Sequence, residues 1–277
     1  MNIRKIAGEE RNFYKFNREE RNLVAILFAA LCEKRGLAAF LSLLQRKGVL
    51  GEQESKAVLG NPEDFGIYLE YAYLRDLWKA IGDREDLDED RKNEIRKEIL
   101  RKYLTGIKDR EGRELELEQM SVVEINEIFG VSGRATSTQY IQFPGRWSVE
   151  KFAKNFGYDD FCKICKFKWA FNIKPDMVIH LDKDRTICIE AKLESGEGTY
   201  TAKHDDGRSV PSTTQIELQK YLMEELLGLE TKFVFLSRKP RESADVFSIT
   251  WEEIDKEVVK ESALPSYALE QIKKSYS

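Results

Sequence analysis

Histidine and cysteine are scarce in this chain of 277 residues, which carries His180, His204 and four cysteines at positions 32, 162, 165 and 188. That number and irregular spacing do not make a disulfide framework, and Cys162-Lys-Ile-Cys165 is only half a zinc knuckle with no second pair. Long apolar runs and a secretory leader are also missing, which points to a soluble, reduced, cytoplasmic protein without a membrane span. Charge of one sign is lacking: 45 Lys and Arg face 49 Asp and Glu, a net of −4. A chain-wide basic surface is therefore excluded, and any contact with phosphate needs locally concentrated cations. No repeats or low-complexity tracts occur, and the length suits one large domain or a domain with a subdomain.

The informative stretch runs from Lys166 to Leu193. Phe167, Trp169 and Phe171 alternate, Met177–Leu181 and Thr186–Ile189 are apolar and largely β-branched, and Asp182–Arg185 has turn chemistry, so three strands are expected, the last two as a hairpin. In an antiparallel ladder turned near Lys183 and Asp184, Asp176 falls across from Glu190 or within a place or two of it. Glu190 and Lys192 share a face, while Ile187, Ile189 and Ala191 point the other way. Two carboxylates and a lysine thus converge on an otherwise apolar hairpin. Like charges at close range favour a cation between them, and carboxylate oxygens suit Mg2+ or Mn2+. Such a centre activates water and polarises a phosphoryl oxygen, and a nearby ammonium neutralises developing charge, which is the chemistry of phosphodiester hydrolysis.

Pro175-Asp176 followed fourteen positions later by Glu190-Ala191-Lys192 resembles the PD-(D/E)xK nuclease superfamily. The bare triplet also occurs at Glu54-Ser-Lys56, Asp90-Arg-Lys92 and Glu230-Thr-Lys232, none behind a matching Pro-Asp. The resemblance implies a restriction-endonuclease-like α/β (mixed α+β) core, a central mixed β-sheet flanked by helices, joined to a large helical N-terminal or inserted region. It implies Asp176 and Glu190 as metal ligands, the Ala191 carbonyl as a third, and Lys192 as the catalytic lysine. An acid on the first helix commonly completes such sites; Glu20 is the first candidate, with Glu127 and Glu150 as rivals and a plain helix-dipole role as the alternative.

Elsewhere, Arg18–Leu44 has the period of two core helices broken at Gly36, residues 46–107 continue as helices, and Asp83–Arg101 is charged enough to expect an exposed helical face. The expected division is a mostly helical region over 1–146, whose first helix belongs with the nuclease core, and that core over 147–277. Lys163, Lys166, Lys168 and Lys174 could supply local positive charge. Gly130–Arg146, with Arg134 and Arg146, reads either as a phosphate-tracking loop or as a plain connection. Glu194–Ser212, with Lys203, His204 and Arg208, is a candidate flap, and Thr213–Leu227 an amphipathic helix carrying Gln215, Gln219 and Tyr221. The substrate-binding candidates are Gln215, Lys174, Arg134 and Lys203. Strands are expected at Lys232–Leu236 and Phe247–Thr250, followed by a helix from Trp251.

The expectation is thus a Mg2+- or Mn2+-dependent endonuclease acting on DNA in genome defence or DNA processing, with nucleic acid as partner, no membrane, and a homodimer left open. A non-catalytic nucleic-acid-binding or assembly protein retaining the fold is the alternative from another class.

Overall fold

A computed structural model describes residues 20–60, 65–131, 138–193, 196–241 and 243–276. In chain order these form α1 (Glu20–Leu31), α2 (Lys34–Arg46), α3 (Glu52–Gly60), β1 (Gly66–Leu69), α4 (Tyr73–Gly82), α5 (Glu89–Tyr103), α6 (Val122–Phe129), α7 (Val149–Asn155) and α8 (Tyr158–Ala170). There follow β2 (Met177–His180), β3 (Arg185–Ala191), β4 (Thr199–Tyr200), β5 (Thr213–Thr214), α9 (Gln215–Lys220), β6 (Glu230–Ser237), β7 (Phe247–Thr250), α10 (Trp251–Glu253) and α11 (Ser266–Tyr276). No helix among the described residues is long and apolar enough to cross a membrane.

The chain forms two compact units. The first takes the described residues of the segments Met1–Tyr71, Pro175–Gly196 and Leu229–Ser277; the second is Ala72–Lys174 with Glu197–Gly228. Each is assembled from segments distant in sequence, an interleaving that a linear division at residue 146 does not describe, because strand pairing leaves no trace in hydrophobic periodicity.

The first unit is mixed α/β, with a five-stranded sheet in the order β1-β2-β3-β6-β7. β1, β2 and β3 are antiparallel neighbours, whereas β6 joins β3, and β7 joins β6, in parallel. The hairpin turn is closed by Asp182, whose Oδ1 accepts the N–H groups of Asp184 and Arg185 at 2.9 and 2.8 Å, the local bonding that makes Asp a turn former. From that turn the ladder pairs His180 with Thr186 and Met177 with Ile189. Met177, Ile179, Ile187, Ile189, Ala191, Val234 and Leu236 are buried with Leu23, Leu27, Phe40, Leu44 and Trp251 in one apolar core. Burying each large aliphatic side chain is worth about 1.5–3 kcal/mol.

Two expectations are corrected in this unit. Gly66–Leu69, expected to be helical, is the edge strand β1; its four residues carry too little pattern to separate strand from helix. The two N-terminal helices are separated at Cys32 and Glu33 rather than at Gly36, which lies inside α2. Gly36 is there for close approach, since a Cβ on it would collide with the Ala30 carbonyl.

In the second unit, the strand expected at Phe167–Phe171 is instead the end of helix α8 and the residue after it. Phe161, Ile164, Cys165 and Phe167 are all buried there, a three-to-four spacing that prevails over the short alternation, and Asp159 and Asp160 suit its first turn. Its rings join an aromatic core in which Phe129 stacks on Trp147 at 4.6 Å between centroids. The charged run is also more than an exposed face: α5, capped by Asp88 on the Arg91 N–H at 2.8 Å, buries Asn93, Arg96 and Leu100. The segment 199–214 carries the short β4–β5 pair, and α9 opens with a capping box between Thr214 and Glu217.

Gly36→Ala should therefore destabilise the protein by about 1–3 kcal/mol, the usual cost of forcing extra volume into a packed contact. Denaturant titration reads this directly; an unchanged midpoint would contradict the close approach of α2 to Ala30.

Candidate functional site

Everything needed to place the acids and the lysine lies in the first unit. Continuing the β2–β3 register by one step puts Asp176 across from Glu190. Past Leu69 the β1 edge goes on bonding, with the Glu70 N–H on the Asp176 carbonyl and the Tyr71 N–H on that of Pro175, both at 3.0 Å. The Asp176 backbone is thereby fixed, and its Oδ2 accepts the Ala191 N–H at 2.8 Å. On the other side, the Lys192 N–H bonds the Leu236 carbonyl at 2.7 Å and the Lys192 carbonyl accepts the Trp251 indole N–H at 3.2 Å. The end of β3 is held from both neighbours.

Glu190 is 0 % exposed. A carboxylate cannot stay ionised in such a place without a partner, and Lys192 Nζ lies 2.6 Å from its Oε1. Glu20, the first residue of α1, reaches the same strand end: its Oε1 accepts the Leu193 N–H at 2.9 Å, and its Oε2 lies 3.8 Å from Lys192 Nζ. Glu20 thus does more than complement a helix dipole. Burial disfavours the charged form of Lys192, but its hydrogen bond to Glu190 and the charges of Glu190, Asp176 and Glu20 outweigh that and hold its pKa above the usual lysine value. Burial pushes the Asp176 carboxyl up. The Ala191 N–H and Lys192 pull the other way, Glu20 and Glu70 push it further up, and the net direction is upward. The same field, added to burial, raises the Cys188 thiol well above its usual value.

Glu70 is the member that sequence reasoning missed. It closes β1 with φ +49°, a left-handed conformation that non-glycine residues rarely adopt, and lies 3.4 Å from Arg21. Nothing in its local sequence marks it; only the pairing of β1 with β2 brings it beside Asp176.

The cluster could hold a hard divalent cation through Asp176, Glu190 and the Ala191 carbonyl, with Glu20 as a further acid. Its chemistry and charge fit one: Glu20, Glu70, Asp176 and Glu190 are grouped with the cations Lys192 and Arg21, an excess of negative charge that hard oxygen donors pass to Mg2+ or Mn2+. As the side chains stand, no group of three or more His, Cys, Asp or Glu among the described residues is set to hold a metal ion, and the cation on Glu190 is Lys192.

The other described candidates belong to the second unit. Glu127 and Glu150 are exposed members of the second unit. So are Lys174 and Lys203, the latter in a bridge to Ser209; Gln215, half-buried, opens α9 with its N–H on the Gly198 carbonyl. Arg134 lies outside the described residues. Three of the lysines expected to supply local charge have partners within their own unit: Lys163 on the Thr105 carbonyl at 2.7 Å, Lys168 on that of Gly145 at 2.9 Å, and Lys166 against Glu225 and the Tyr221 ring. His204 is buried and bonded to the Phe156 carbonyl at 3.0 Å, a structural role. Cys162 and Cys165 lie on one helix as free thiols, and burial pushes the Cys165 thiol up to about 12, which keeps it inert. No family model, curated protein or solved structure matches this chain, so the site is interpreted from its own geometry.

The raised Asp176 pKa has a definite sign for stability. A carboxyl whose folded pKa exceeds its unfolded one destabilises the fold when ionised; the penalty is absent below the unfolded pKa and complete above the folded one. Asp176→Asn keeps an oxygen for the Ala191 N–H and removes the charge. In EDTA at pH 8 it should melt above wild type, by about 2–4 °C for a relief of about 1 kcal/mol, and the gap should close on acidification. A variant that melts lower at pH 8 would contradict this electrostatic account.

Proposed function

We propose that the chain is a divalent-metal-dependent nuclease that hydrolyses phosphodiester bonds, acting in the cytoplasm on DNA, in genome defence or DNA processing. The observation that carries this reading is the convergence of Asp176, Glu190, Lys192 and Glu20 on one strand end. It supports the PD-(D/E)xK resemblance, since the Pro-Asp and Glu-x-Lys residues meet by strand pairing and not by sequence pattern alone. α1, β1, β2, β3, α9 and β6 follow one another in the chain with other elements between them, β1 standing in place of the strand expected at Phe167–Phe171 and α9 belonging to the second unit.

In this reading Asp176 and Glu190 would hold the cation with the Ala191 carbonyl, and Glu20 would add charge from the helix side. An ion bound there would supply Lewis acidity for activating a water and polarising a phosphoryl oxygen. Lys192 contributes an ammonium on a fixed strand end to neutralise charge that develops only in the transition state. Its backbone is pinned at both N–H and carbonyl, so this charge is preorganised.

A second reading, a non-catalytic nucleic-acid-binding or assembly protein, draws on one observation: Lys192 already sits on Glu190, as in a purely structural buried ion pair.

The two readings separate on cleavage. Purified protein should cut DNA with Mg2+ or Mn2+ and lose that activity in EDTA. Lys192→Met should lower the single-turnover rate about a hundredfold or more while changing the substrate Kd only a few-fold. A rate within a few-fold of wild type would remove Lys192 from the mechanism. Failure to cut any of a panel of single- and double-stranded DNA and RNA would favour the binding-protein reading. Among the acids, Glu20→Gln should cause a large loss, and Glu127→Gln and Glu150→Gln almost none; equal rates in all three would take Glu20 out of the site.

A further inference from the structure

The second unit contains a cavity of about 510 Å3 lined by residues of α4, α5 and the segment Tyr140–Arg146. It shares no residue with the acid and lysine cluster. Arg96, only 5 % exposed, lines it. One guanidinium nitrogen, Nη1, donates to Asn93 Oδ1 at 3.2 Å, and the guanidinium carbon lies 5.6 Å from the centre of the Trp78 ring. Its Nε is buried and has no hydrogen-bond partner among the described residues. An arginine stays charged at any ordinary pH, and a buried donor left unpaired costs on the order of 1–3 kcal/mol, more for a charged group. The guanidinium as a whole is a charged part of the cavity wall, and its natural complement is an anion from outside the chain. Glu89 lines the same cavity and its charge acts on Arg96, while its carboxylate is bonded to Lys92 at 2.9 Å.

The rest of the lining narrows the ligand. Lys79 and Arg146, both exposed, bring two more cations, so that with Arg96 the cavity has three against the acids Asp83 and Glu89. Trp78, Tyr140 and Phe143 give it planar walls, and Tyr140 is 48 % exposed. The volume is far larger than one oxyanion needs and falls among small-ligand sites of roughly 300–1,000 Å3. The wall is tied together by hydrogen bonds. Asn93 bonds the Gln139 carbonyl at 2.6 Å and the Ile141 N–H at 3.1 Å; Asn126 bonds the Tyr140 carbonyl and the Gln142 N–H, both at 2.9 Å.

We propose that this cavity binds a nucleotide, with its phosphate drawn to the Arg96 guanidinium and the base stacked on Tyr140. The nucleotide is either a free mononucleotide or one residue of a nucleic-acid strand. The proposal is independent of the nuclease reading, because binding is measured without metal or turnover.

Calorimetric titration of the full chain in EDTA tests it, with AMP, dTMP, adenosine, inorganic phosphate and a 5′-phosphorylated tetranucleotide as probes. A nucleotide-bearing probe should bind at least tenfold more tightly than adenosine or phosphate. Arg96→Lys, which keeps the charge but loses the planar guanidinium, and Tyr140→Ala should each weaken that binding about tenfold, the latter without lowering Tm. Tighter binding of AMP or dTMP assigns a free mononucleotide; tighter binding of the tetranucleotide assigns a strand. No binding at millimolar probe, phosphate as tight as nucleotide, or unchanged affinity in Tyr140→Ala would overturn the proposal. The exposed Tyr140 keeps the test decisive should Arg96→Lys fail to fold.

Discussion

The register of the β2–β3 ladder is the constraint on which the site depends. Side chains alternate across a strand, so a slip of one residue would turn Glu190 and Lys192 into the apolar core and bring Ile189 and Ala191 out of it. Core packing therefore enforces the placement of the charges. Ile187, Ile189 and Ala191 can be buried with Met177 and Ile179 only in the register that sets Glu190 across from Asp176. The Asp182 turn starts that register, and the β1 edge and the parallel strand β6 hold it on either side.

Electrostatics supplies the second constraint. A fully buried glutamate commits the fold to a cation, and Lys192, two residues along the same strand, is that cation in the absence of metal. Desolvating such a pair roughly cancels its attraction, whereas leaving either charge alone is strongly unfavourable. The cluster is consequently poor evidence for stability and better evidence for function: an apolar pair would serve a core as well. The burial that raises the Asp176 carboxyl, with Glu20 and Glu70 adding to it, points the same way.

Legibility in the sequence follows what is local. The hairpin could be read because its turn, its β-branched runs and its charges sit within a short stretch, and two-fold alternation then dictates which side chains share a face. Glu20 needed the resemblance, since helix periodicity says which face is buried but not which strand it meets. Glu70 and β1 were not readable, because four residues of strand acquire meaning only through a partner more than a hundred positions away. Phe167–Phe171 was misread where a short alternation coincided with the end of an amphipathic helix. Arg96 was hidden within a charged run, where burial of one stripe depends on the Asn93 and Asn126 bonds to residues 139–142.

The central claim is that Asp176 and Glu190 form a cation site at the end of the hairpin. A crystal structure of the protein with saturating Mn2+, read by anomalous scattering, tests it most directly. The account predicts one peak at about 2.1 Å from a carboxylate oxygen of each residue, with Lys192 displaced from Glu190 Oε1. No peak there, with Lys192 still bonded to Glu190, would contradict it.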